Sequence, residues 1–129
     1  MSRHHFIKVD VRRSYRELID TGIQHDYSMG YTNRSGFRAG VCIPHLWYDL
    51  YLDSPTELTI HPFYFMDAAF IFNLNYSPED AIKEAFEITE QLRMYHGVNS
   101  FIFHNESLSN VGVYLGWGNL LSDVMKLVV

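Results

Sequence analysis

One cysteine, Cys42, occurs in the 129 residues, so no intramolecular disulfide can form and a cysteine-rich metal site is excluded. A reducing compartment is the simpler setting for such a chain. Apolar runs are short as well. None approaches the roughly 18 residues needed to cross a bilayer, and the opening MSRHHFIKVDVRR carries charge where a secretory signal needs apolar residues. The expectation is a cytoplasmic chain with no membrane partner. Positive charge is scarce: the net charge is −5, and Arg12, Arg13 and Arg16 form the one dense basic group. Binding along a phosphate backbone needs a wider basic surface, so no nucleic-acid partner is expected. There is no HExxH, P-loop, GxGxxG or GxSxG, no histidine pair at helical zinc spacing, and no repeat, linker or low-complexity tract.

What the chain does have is apolar content of 47% with mean hydropathy near zero (−0.11), enough for one domain over residues 1–129 with a real core. Aromatic residues reach 16% and cluster at 46–51, 63–72 and 101–103. Most belong in a core, although aromatic rings beside polar loops also serve sugar-binding clefts.

Periodicity and capping predict the elements. Asp10 caps a helix reaching Thr21, with Val11, Tyr15, Leu18 and Ile19 on one face and Gly22 as the stop. A short strand follows at 23–27, then a long irregular loop at 28–40. Leu58 and Ile60 alternate with polar neighbours as in a strand, and a helical turn is expected around 66–73. Ser77-Pro78-Glu79-Asp80 opens a helix to about His96, with Ile82, Ala85, Phe86, Thr89 and Leu92 as its buried stripe. Residues 100–103 suit a strand covered on both faces, leading into His104-Asn105-Glu106-Ser107. A final helix at 117–128 turns Trp117, Leu120, Leu121, Val124 and Val128 to one side. This alternation predicts an α/β fold with a parallel sheet and flanking helices, its functional groups at the C-terminal ends of strands. The elements are too few to close a β/α barrel. An open sheet edge is therefore expected to drive homo-oligomer formation.

Chemistry concentrates in GFRAGVCIPHLWYD, residues 36–49. Gly36 and Gly40 let the backbone turn around Arg38, whose guanidinium can clamp a carboxylate; pairing with a structural acid is the alternative. Asp49, after Trp47-Tyr48, is a candidate supporting carboxylate or a plain cap. His104 sits where parallel-sheet enzymes keep a general acid, and a hydrogen-bonded strand-end histidine is its alternative. His4, His5, His61 and Asp67, taken singly, read as structural.

The run from Arg3 to Trp117 resembles the C-terminal half of polysaccharide-deacetylase-like proteins of the chitooligosaccharide deacetylase superfamily. The resemblance rests on Arg3–His5, on the YxxLxxxGIxxDYSMGY pattern at 15–31, on GFRAG…P…YDL at 36–50, on HPFxxMD at 61–67, on FxxHNxSL at 101–108, and on Gly116-Trp117. It implies a partial (β/α)-barrel-like fold lacking its N-terminal half, from a family that hydrolyses N- or O-acetyl groups of polysaccharides or oligosaccharides with one divalent, zinc-like metal. The family's metal ligands and catalytic aspartate belong to that absent half, so no cofactor is expected in this chain. By the same resemblance Arg38 orients the catalytic aspartate, Pro44 walls the substrate groove, and His104 protonates the leaving group. Trp47 and Asp49 correspond loosely to a further substrate-side motif. The chain alone is then expected to be catalytically inactive. A non-catalytic carbohydrate-binding or scaffold module is the alternative.

Overall fold

The computed structural model describes residues 1–127, and Val128, expected on the final helix, lies outside them. Helix α1 spans Val11–Asp20, and the Asp10 carboxylate accepts from the backbone N–H groups of Arg12 and Arg13 as anticipated. Tyr15 is the residue of α1 that becomes fully buried. Strands β1 (His25–Asp26), β2 (His45–Asp49) and β3 (Ser54–Ile60) make a three-stranded sheet in the order β1-β3-β2. β1 runs parallel to β3, whereas β2 is antiparallel to it. A second sheet pairs β4 (Phe65–Met66) with β5 (Phe101–Ile102) in parallel.

The expected parallel sheet is thus corrected to two small sheets, one mixed and one parallel, with helices beside them. β2 is the element that breaks the expectation. Its inward positions hold Trp47 and Asp49 while Leu46 and Tyr48 face out, so a buried carboxylate and exposed apolar residues hide the alternation. Arg16 of α1 makes that carboxylate tolerable, donating from Nε at 2.5 Å and from Nη2 at 2.6 Å.

After β4 the chain enters a π-helical stretch, Ala69–Leu74, closed by Asn75 in the left-handed region. Helix α2, Pro78–Met94, starts with a complete capping box between Ser77 and Asp80. Its buried residues are Ala81, Ala85, Thr89 and Leu92. Phe86, expected in this stripe, is 47% exposed. The small side chains of Ala81 and Ala85 set the contact line and bring the helix close to its neighbours, which turns Phe86 toward solvent. Helix α3, Trp117–Leu127, buries Trp117, Leu120 and Val124.

Two apolar clusters result. One holds Tyr15, Met29, Trp47, Leu58 and Ile60 under α1; the other gathers Phe63 to Met66, Phe70, Ile102 and the inner faces of α2 and α3. Segment 61–64 joins them, with the Phe63 N–H donating to the Met29 carbonyl and the Tyr64 N–H to that of Ser100.

Candidate functional site

Because β4 and β5 are parallel neighbours, the residues just beyond their C-terminal ends meet. Asp67 follows Met66, and His104 comes two residues after Ile102. The Asp67 carboxylate is fully buried. One oxygen, Oδ1, accepts from the Ala68 N–H at 2.7 Å and from His104 Nδ1 at 2.6 Å. The other, Oδ2, accepts from the His104 backbone N–H at 2.6 Å. A carboxylate in this role only accepts, so Nδ1 carries the proton and the ring is held with Nε2 turned away from Asp67. Half of the imidazole surface is open, in contrast to its partner.

His104 opens onto a cavity of about 740 Å³. Its walls include Met66 and Ile102 from the strand ends, Phe72 from the π-helical stretch, and Tyr114. Phe72 and Tyr114 meet edge to face, with centroids 6.1 Å apart. The N-terminal segment supplies the remaining edge through Arg3, His4, His5, Phe6 and Ile7. It is pinned beside β1: the Ser2 N–H donates to the His25 carbonyl, the Ser2 carbonyl accepts from the Tyr27 N–H, and the His4 N–H donates to Ser28 Oγ at 2.8 Å. Ser28 in turn donates to the buried Asp26 from both its N–H and its hydroxyl.

The other residues singled out in the sequence lie elsewhere. Arg38 is exposed and, among the described residues, makes no hydrogen bond or ion pair. It lies near enough to Tyr15 for its charge to oppose the upward shift of that phenol, which burial causes first and the Asp26 carboxylate second. The Tyr15 hydroxyl is buried and finds no partner at hydrogen-bond geometry. Pro44 is exposed immediately before β2. Trp47 packs edge-on against Tyr15 in the α1 cluster, with centroids 5.5 Å apart. Asp49 is committed to Arg16 and to the N–H groups of Tyr51 and Leu52. The Arg16 bonds come first in holding its carboxyl down to about 2, the loop N–H groups add to this, and burial opposes them. Arg38, Pro44, Trp47 and Asp49 are all absent from the wall of the His104 cavity.

Asp67, His4 and His5, each read singly as structural, are brought by the fold to His104 or to its cavity, together with Arg3, Phe6 and Ile7. Asp67 carried a signal, an acid directly after a short apolar run and before a helical turn. Its partner lies 37 residues away, so only the pairing of β4 with β5 reveals the role.

A catalytic zinc-type site needs about three protein ligands with one position left open. Among the described residues no group of three or more His, Cys, Asp or Glu side chains is placed to hold a metal ion, so the residues present do not fit such a centre. No helix of the described residues is long and apolar enough to cross a membrane. Compared with known proteins, the chain matches no family model, no curated protein and no solved structure.

Proposed function

We propose that this chain is the proton-transfer region of a polysaccharide or oligosaccharide deacetylase, the C-terminal part of a β/α-barrel-like enzyme whose metal ligands lie outside it. The observation that carries the reading is the Asp67–His104 pair at the ends of two parallel strands, facing a cavity with an aromatic wall. Asp67 fixes the ring and balances its charge when both nitrogens are protonated. The Nε2 proton then passes to the amine or alcohol oxygen that leaves as the acetyl group is cleaved. Polarisation of the acetyl carbonyl and activation of water belong to groups outside the chain. Arg38 does not line this cavity, so the reading assigns it no part in the transfer.

The test is a titration of the isotopically labelled chain with N- and O-acetylated oligosaccharides, combined with an assay for released acetate. Shifts of the His104, Phe72 and Tyr114 resonances without acetate release are expected. Acetate release by this chain alone, or no shift with any member of the panel, refutes the reading.

The edge-to-face pair of Phe72 and Tyr114 on the cavity wall favours a second reading, a non-catalytic carbohydrate-binding module of the same descent. The residues encoded ahead of Met1 separate the two. A stretch there with acidic and histidine metal ligands supports the enzyme; a natural start at Met1 supports the binding module.

A further inference from the structure

The edge formed by residues 3–7 gathers positive charge, an unsatisfied polar atom and backbone strain in one short segment. The chain is acidic overall, with a net charge of −5, yet this edge brings Arg3, His4 and His5 to the cavity with no acid among them. Arg3 makes no ion pair or hydrogen bond among the described residues. Its guanidinium lies over the Tyr27 ring, 5.9 Å from the centroid, which orders the group without using its donors. His4 Nε2 is buried and has no hydrogen-bond partner, an unusual state for a polar atom in a folded protein. Next in the chain, Phe6 (φ 55°) and Ile7 (φ 54°) both occupy the left-handed region. This conformation is unfavourable for any bulky residue and most of all for a β-branched one such as Ile7. Strain of this kind persists where the surroundings enforce it, and it gathers at ligand sites. Here Ile7 is buried in the larger core while residues 2–4 are tied to β1, so the segment is stretched between two anchors.

We infer that the edge of the cavity built by Arg3 is a subsite for a carboxylate, so that the saccharide taken by this site is an acidic one. Arg3 can meet a carboxylate with two parallel N–H bonds. Glu106, which also lines the cavity, opposes any anion placed beside it. A bound carboxylate therefore belongs at the Arg3 edge, with the acetylated sugar reaching toward His104. The inference rests on the cavity being a saccharide site.

The experiment measures calorimetric affinities for two ligands that share N-acetylglucosamine and have equal length: tetra-N-acetylchitotetraose, which is neutral, and hyaluronan tetrasaccharide, which carries uronate carboxylates. The acidic ligand is expected to bind at least ~10-fold more tightly, since charge-assisted bonds are about twice as strong as neutral ones. Arg3→Met should bring the two affinities within about twofold, by weakening the acidic ligand far more than the neutral one. Should that variant fail to fold, a salt series on the wild-type chain gives the same information, because only the acidic ligand should weaken as salt screens the contact. Equal affinities in the wild-type chain overturn this inference and leave the saccharide reading standing. Binding of neither ligand overturns both. A preference for the acidic ligand that survives Arg3→Met, or that is indifferent to salt, also overturns it.

Discussion

Asp67→Asn keeps the volume of the buried side chain and exchanges one acceptor oxygen for a donor. The native carboxylate serves three N–H groups, two on Oδ1 and one on Oδ2. If the amide oxygen takes the Oδ1 position, the new NH₂ faces the His104 backbone N–H, and two donors confront each other. If it takes the other position, the NH₂ faces the Ala68 N–H and His104 Nδ1. The ring can then relieve half of the conflict by moving its proton to Nε2, but the Ala68 N–H stays unpaired. Either arrangement strands one backbone donor in a part-buried site, which costs about 1–3 kcal/mol. Urea unfolding should show a loss of about that size with an unchanged denaturant slope. Nitrogen chemical shifts of the imidazole should report Nδ1–H in the wild-type chain, and in the variant either Nδ1–H retained, for the first arrangement, or a shift to Nε2–H, for the second. A loss below ~0.5 kcal/mol together with an unaltered tautomer would mean that Asp67 does not set the state of His104.

Three further outcomes are expected. The Asp49 carboxyl is held down to about 2 chiefly by Arg16, so its contribution is fully present above the ordinary carboxylate value of 3.8 and is lost as pH falls toward 2; Arg16→Met should flatten the pH dependence of the urea midpoint in that window, and an unchanged slope there would refute the linkage. Gly30→Ala places a Cβ 2.2 Å from Phe63 Cζ and 2.3 Å from Cε2, so it should destabilise by about 1–3 kcal/mol, with partial recovery in the double variant carrying Phe63→Leu; additive losses would count against a steric cause. The outward Leu46 and Tyr48 of edge strand β2, together with exposed Leu50, Tyr51 and Leu52, should drive self-association at micromolar concentration, and a monomeric mass by light scattering would exclude it.

The helices were the legible part of this sequence because their signals are local. Asp10 before α1 and Ser77-Pro78-Glu79-Asp80 before α2 satisfy N–H groups within three residues of themselves, and the structure uses them as anticipated. Strands of two residues carry almost no periodic signal, which is why β4 passed unnoticed even though it places Asp67. β2 was concealed by its inward Asp49, an acid that a pattern reader assigns to solvent until Arg16 of α1 is known to reach it. His104 was recognisable from its position after an apolar run. Its partner was not, since a contact 37 residues away exists only once two parallel strands have paired. The strained turn at Phe6 and Ile7 left no trace at all, because neither residue type favours the conformation it holds.

The division of the apolar interior into two clusters, bridged by residues 61–64, gives the chain the makings of two cooperative units with different opening free energies. Residues 2–4 are hydrogen-bonded to the β1 side, whereas Asp67 and His104 grow from the β4–β5 side, so the cavity between them spans both units. A molecule lodged there touches each half and is released when either one opens. Occupancy would therefore slow amide exchange in α1 and in α2 together, turning two loosely joined folding units into one.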